Sequence, residues 1–250
     1  MSLEGLEETR KADHVFAEFY TSYMPGLSIV NLQNLIGKKV EILSREAVEE
    51  EAETSIISYA KRSPCVFLAP GDPNVATTHV ALRLRAEKSG IRTAVVHAAS
   101  ISSAISGATG LQNYKFGRTV TIPFKSVSTS ETPYENICEN KQRGLHTLTL
   151  LDIDSENEKY MTIPEGLRLL LEMEERKSND CVALSTVAIG LARLGSRQGK
   201  TKADSVENLL KFDWGGPPHC IVLPGRLHFM EVEALETLCG AKKEILEGLL

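Results

Sequence analysis

Cys65-Val66-Phe67-Leu68-Ala69-Pro70-Gly71-Asp72-Pro73-Asn74-Val75-Ala76-Thr77-Thr78-His79 decides how the chain is read. A short apolar run breaks into Pro70-Gly71-Asp72-Pro73 and then into a helical pattern, which predicts a buried strand delivering a stiff, acidic loop to a helix start. The prolines fix φ on either side while Gly71 tolerates unusual φ, so Asp72 is held at the carboxyl end of a strand, where open α/β sheets bind ligands. A rigid acid at that place suits a ligand's hydroxyl or ammonium group. It equally suits the N-cap of the following helix.

Working outward, residues 15–19, 39–43, 65–69 and 93–97 read as strands, and the segments separating them carry helical periodicity. Strand, helix, strand repeated in this way implies parallel pairing with right-handed crossovers. After Ser102-Ser103-Ala104-Ile105-Ser106-Gly107 the texture changes: residues 109–118 are rich in Gly, Asn and basic residues, and Arg118-Thr119-Val120-Thr121-Ile122-Pro123-Phe124 opens a new strand. The reading is therefore two α/β domains. Residues 1–110 form an N-terminal parallel sheet with flanking helices, and residues 111–250 a C-terminal mixed sheet with helices. In the second domain strands are expected at 146–153, 182–191 and 220–223, and helices at 164–176, 202–210 and 231–238. Thr162-Ile163-Pro164-Glu165 supplies a threonine N-cap region with proline at the helix start.

The chain has 250 residues, 42% hydrophobic and 24% charged, which is enough for two modest cores. No apolar stretch approaches a membrane span; residues 182–194 are interrupted by Ser185, Thr186, Gly190 and Arg193. Residues 1–10 lack a cationic segment followed by an apolar core, so a cytoplasmic protein is expected. Five cysteines, Cys65, Cys138, Cys181, Cys220 and Cys239, are scattered without a C-x-x-C and read as reduced, packed thiols. A net charge of −5 argues against a nucleic-acid surface.

Gly195-Ser196-Arg197-Gln198-Gly199-Lys200-Thr201 looks like a phosphate loop but has three residues separating its glycines where four are needed, and Leu194 stands at the place of the first glycine. No G-x-G-x-x-G follows any strand, so a dinucleotide is equally unsupported. His79 and His97 lie near strand ends and read as hydrogen-bonded structural residues; no histidine pair has a metal spacing, and no metal is expected. His219 is favoured for function, because Gly215-Gly216-Pro217-Pro218 fixes its backbone at the mouth of a strand. Ser100-Ile101-Ser102-Ser103-Ala104 can cap a helix or offer donors to a ligand carboxylate, and capping is the simpler reading.

These loops together match a family. Ala17-Glu18-Phe19-Tyr20-Thr21-Ser22, Pro70-Gly71-Asp72-Pro73 with Val75-Ala76-Thr77-Thr78-His79, His97-Ala98 before Ser100-Ile101, Gly110-Leu111 with Tyr114-Lys115-Phe116-Gly117, Gly144-Leu145-His146-Thr147 through Leu151-Asp152-Ile153, and Pro217-Pro218-His219 closely resemble diphthine synthases. Those are S-adenosylmethionine-dependent methyltransferases of the tetrapyrrole methylase fold. The resemblance runs over essentially the whole chain, is most specific at 18–22 and 77–79, and looks archaeal. It implies a two-domain homodimer with the donor in the cleft separating the lobes. The family's donor contacts fall here on Asp72 and Val75, on Ser100 and Ile101, on Leu151 before Asp152, on Leu194, and on His219.

The implied reaction is methyl transfer to the amino nitrogen of a modified histidine on translation elongation factor 2, a step of diphthamide biosynthesis. In-line displacement on a sulfonium depends on aiming the nitrogen lone pair and excluding water, and needs no dedicated nucleophile. An α-amino group with a pKa of about 8 is roughly one-tenth neutral at pH 7, so no particular side chain is assigned as proton acceptor. Glu18, Phe19 and Tyr20 are expected to favour the growing cationic product. Family members also carry an apolar strand and a Gly-Leu-Gly-Leu loop ahead of the segment that starts here at Ser2-Leu3-Glu4-Gly5-Leu6, so Met1 is expected to lie downstream of the native start. A tetrapyrrole methyltransferase and a truncated, non-catalytic donor-binding module are the rival readings.

Overall fold

A computed structural model describes residues 1–155 and 157–250, and it divides into one unit over Met1–Ser100 and Ser155–Asn157 and another over Ile101–Asp154 and Glu158–Leu250. The division falls after Ser100, whereas the sequence texture changes near residue 110, one helix later.

The first unit runs α1 (Leu3–Lys11), β1 (His14–Ala17), α2 (Ile29–Ile36), β2 (Glu41–Ile42), α3 (Arg45–Glu49), a π-helical turn (Glu53–Ile57) leading into α4 (Ser58–Ala60), β3 (Cys65–Leu68) and α5 (Val80–Lys88). Serines start three of these helices: Ser2, Ser28 and Ser44 each accept a backbone N–H three residues on. The strands form a parallel sheet in the order β2-β1-β3, with Phe16 opposite Glu41 and Ala17 opposite Leu68. Side chains alternate across β1, so Phe16 joins Tyr20, Leu43, Val48 and Ile56 in one cluster, and Val15 and Ala17 join Ile36 and Val40 in another. Two buried faces are the signature of a parallel sheet covered on both sides, as expected.

Residues 93–97, expected as a strand, form none. An extended apolar run becomes a strand only when its N–H and C=O groups find a ladder, and no described segment pairs with this one. The outer edge of β3 is likewise unpaired among the described residues, and Val66, Phe67 and Leu68 stay only half-buried.

The second unit runs α6 (Ile101–Thr109), β4 (Val120–Ile122), α7 (Thr132–Gln142), β5 (Thr147–Leu151), β6 (Ile153–Asp154), β7 (Lys159–Tyr160), α8 (Ile163–Lys177), β8 (Val187–Ala192), β9 (Lys200–Ser205), α9 (Val206–Lys211), β10 (His219–Leu223), α10 (Phe229–Cys239) and α11 (Lys243–Leu246). Its main sheet has the order β4-β5-β10-β8-β9, parallel only at β4-β5, which makes it the mixed sheet that was expected. One face buries Ile122, Leu151, Ala188, Ala192 and Ile221 with α8 and α9; the other buries Leu148, Ile189, Leu191 and Val222 with α6 and α10. Thr162 and Glu165 form a capping box at the start of α8.

The helix expected over 202–210 is instead strand β9 followed by α9. Lys200 to Ser205 pair with Ala192 to Val187 along β8, and Ser205 then caps α9 by accepting the Asn208 N–H at 3.3 Å. An edge strand defended by lysines buries little, here only Ala203, and so carries no apolar alternation to read. The 195–199 stretch is the turn of the β8–β9 hairpin, so the strand-to-helix setting of a phosphate loop is absent from it.

Candidate functional site

Asp72 is built from the backbone outward. Gly71 takes φ +75°, a conformation that side chains resist, and turns the chain directly after β3. The Asp72 carboxylate is buried: Oδ2 accepts from His97 Nδ1 at 2.8 Å and Ala98 N at 3.3 Å, and Oδ1 from Asn74 N at 3.2 Å. The hydrogen bond from His97 holds this carboxyl below its ordinary value. Asp72 caps no helix, because α5 begins only at Val80 with His79 at its N-cap. It is an ionised brace whose Oδ1 retains acceptor capacity, and His97, read from sequence as structural, is its partner. Val75, three residues on, is 38% exposed.

A second buried carboxylate lies in the same unit. Glu18 Oε2 accepts from Tyr20 N and Thr21 N, both at 2.9 Å, and Oε1 accepts from the Thr21 hydroxyl. With all three donors coming from its own loop, the Glu18 charge organises residues 18–21 and does not face outward to an external cation. His79 Nε2 stands 3.6 Å from Glu18 Oε1 and 3.4 Å from the Tyr20 hydroxyl, while Nδ1 donates to Pro73 O at 3.0 Å. Burial, reinforced by the Glu18 charge, pushes the Tyr20 phenol up, so it remains protonated.

In the second unit the sheet register gathers three further candidates at one end. Leu151 closes β5, His219 opens β10 and Leu194 follows β8, with Cys220 opposite Leu150 and His219 opposite Ala192. Leu151 is pressed under α8, where a Cβ on Gly166 would come within 2.6 Å of Leu151 Cδ2. His219 Nδ1 accepts the Ile163 N–H at 3.3 Å and Nε2 donates to Gly216 O at 3.0 Å. Both ring nitrogens are committed, and burial depresses the pKa, so the ring is neutral and offers a ligand its carbon edge and the adjoining backbone.

Arg193 is a residue that sequence reasoning passed over. Buried and at φ +50°, its guanidinium donates to Trp214 O at 2.9 Å, to Gln198 O at 3.1 Å and to Gly216 O, while its N–H meets Pro218 O at 2.8 Å. It thereby ties the turn bearing Leu194 to the loop entering His219; a basic residue closing an apolar strand was the one signal available. Ser100 ends the first unit and Ile101 opens α6, both half-buried. Among the described residues no cluster of His, Cys, Asp and Glu could hold a metal ion.

Residues 1–190 match the family described as Tetrapyrrole (Corrin/Porphyrin) Methylases. The chain is 50% identical over 244 residues to the diphthine synthase of Methanocella arvoryzae, covering 97% of this chain and 94% of that protein. It is 45% identical over 242 residues to that of Methanocaldococcus jannaschii, covering 96% and 93%. A crystal structure of diphthine synthase superposes with a TM-score of 0.90 at 39% identity, covering 100% of this chain and 94% of that one. The chain belongs to the diphthine synthase family of tetrapyrrole methylases. The β3 loop, the 18–21 loop and the β5–β10–β8 sheet end are each held by hydrogen bonds within their own unit.

Proposed function

We propose that this chain transfers methyl groups from S-adenosylmethionine to the amino nitrogen of the modified histidine of translation elongation factor 2, in diphthamide biosynthesis. The observation that carries this reading is identity of 45–50% with curated diphthine synthases over at least 96% of the chain. A corrin or porphyrin substrate, suggested by the description of the wider family, is the disfavoured second reading.

The donor contacts proposed are Asp72, Val75 and Ser100 of the first unit and Ile101, Leu151, Leu194 and His219 of the second. The chemistry of these side chains fits such a molecule. Asp72, ionised and with acceptor capacity left on Oδ1, suits a hydroxyl or ammonium group, and Val75, Ile101, Leu151 and Leu194 offer branched apolar surface to a base. When bound, the donor supplies an electrophilic methyl carbon on a sulfonium. The protein's own part is to bind, orient and exclude water, for which rigid loops are the instrument. Asp72 is braced by His97 and Ala98, and neutral His219 adds no positive charge beside a cationic ligand. A cytoplasmic homodimer working without metal completes the proposal; it rests on the family resemblance, and light scattering tests the dimer.

The deciding experiment incubates the chain with methyl-labelled donor and either elongation factor 2 bearing the histidine precursor, unmodified elongation factor 2, or a tetrapyrrole. Label is expected only on the precursor-bearing protein. Label on the tetrapyrrole, or on neither, overturns the assignment. Asp72→Asn, which replaces a charged acceptor by a neutral amide, is expected to weaken donor binding by about tenfold or more in calorimetry.

A further inference from the structure

Pro73 O, the carbonyl next to Asp72, accepts two side-chain hydrogen bonds, from Thr77 Oγ1 at 2.6 Å and from His79 Nδ1 at 3.0 Å. A carbonyl can only accept, so Nδ1 carries the proton and Nε2 is left to face the Tyr20 hydroxyl and Glu18 Oε1. The His79 ring is 4% exposed and stands edge-on to Phe67 of β3, with ring centres 5.1 Å apart, and to Tyr20 at 6.1 Å. It therefore has no second rotamer to adopt without vacating the core. The loop is consequently pinned at two successive residues: Asp72 by His97 and Ala98, and Pro73 by Thr77 and His79.

We propose that His79 is a positioning residue for the methyl donor: with its ring held in the core against Phe67 and Tyr20, it donates from Nδ1 to Pro73 O and so holds the acidic loop in its binding shape before any ligand arrives. The inference rests on the donor contact proposed at Asp72. It gives the 18–22 and 77–79 segments, far apart in sequence, one shared task. A loop already ordered loses no conformational freedom on binding, which is where the gain in affinity arises.

The test compares the full-length parent with His79→Asn, whose amide can occupy the Nδ1 position and still donate to Pro73 O, with His79→Leu, which cannot, and with Asp72→Asn. Calorimetry with S-adenosylmethionine and steady-state kinetics are the readouts. The expected result is a donor dissociation constant raised about tenfold in His79→Leu and within about threefold of the parent in His79→Asn, with the donor KM rising more than kcat falls. Equal affinity in His79→Leu and parent, while Asp72→Asn is weakened, overturns the inference and leaves the donor site standing. Equal weakening in the Asn and Leu variants also overturns it, since the hydrogen bond is then irrelevant. A parent that binds no donor overturns the site reading and the inference together. Should His79→Leu not fold, His79→Phe keeps an aromatic ring against Phe67 and Tyr20 but also lacks the donor to Pro73 O; weaker donor binding supports the positioning role and unchanged binding refutes it.

Discussion

Glu231→Gln is the substitution whose effect can be worked most directly from the structure. Glu231 lies in the first turn of α10 with no exposed surface, and its carboxylate accepts from Gln112 N and His228 N, each at 2.8 Å, from His146 Nε2 at 2.9 Å, and from Lys115 Nζ. Burial alone would raise its pKa; the hydrogen bond from Lys115 and the other donors outweigh it and bring the group to about 2. Set against the ordinary 4.5, that depression corresponds to roughly 3 kcal/mol of stability for the second unit. Removing one partner of a buried pair costs about 3–5 kcal/mol by an independent route, so the two agree in scale. Because the folded value lies below the unfolded one, the contribution is complete above pH 4.5 and is lost as pH falls towards 2. His146 works in the same direction. Its Nδ1 accepts the Gly225 N–H at 3.0 Å, burial depresses its pKa below 6.5, and its share begins to disappear below that pH. The assay is urea unfolding followed by fluorescence of Trp214, the single tryptophan, which is buried in the second unit. With an m-value of about 2 kcal/mol per molar, Glu231→Gln should unfold about 1.5 M earlier than the parent at pH 7, and the gap should narrow by pH 3. A difference under about 1 kcal/mol at pH 7, or one that persists undiminished at pH 3, refutes the reasoning.

Two further outcomes follow from the same contacts. Arg193→Lys keeps the charge but replaces a planar fork by a single ammonium that cannot reach Trp214 O, Gln198 O and Gly216 O together, so the second unit should lose roughly 2 kcal/mol by the same fluorescence assay. In amide hydrogen exchange, β1, laddered on both sides, should be protected, whereas the β3 amides that point away from β1 should exchange at least about tenfold faster than those that point towards it; uniform protection along β3 would contradict an unpaired edge.

What could be read in the sequence was what local stereochemistry governs. Pro70-Gly71-Asp72-Pro73 announces a stiff turn after a strand, Thr162-Ile163-Pro164-Glu165 announces a capped helix, and both stand where they were expected. Strand status depends on a neighbour, and here sequence reading failed in both directions. Residues 93–97 are apolar yet have no ladder, and Lys200–Ser205 is polar yet has a complete one along β8.

The polar partners of the candidate site were hidden for a related reason. His97 lies 25 residues from Asp72 and His79 lies 59 from Tyr20, so no periodicity connects them. Topology does. A chain that leaves β3 and passes through α5 comes back along residues 93–97, and the end of that segment sets His97 and Ala98 beside the acid just past β3. Once the parallel order is known, the loops following successive strands can be searched for one acid and one donor. Applied to the loop after β1, that search leads from Glu18 through His79 to Pro73 and back to the residue after Asp72. The Asp72 side chain and the Pro73 carbonyl are therefore held by partners from different parts of the first unit, His97 and Ala98 for one and Thr77 and His79 for the other. The acidic loop is thus ordered by residues that follow it in the chain, so His79→Leu should weaken donor binding in calorimetry while Glu18→Gln, at a carboxylate that bonds only its own loop, should leave it within about threefold of the parent.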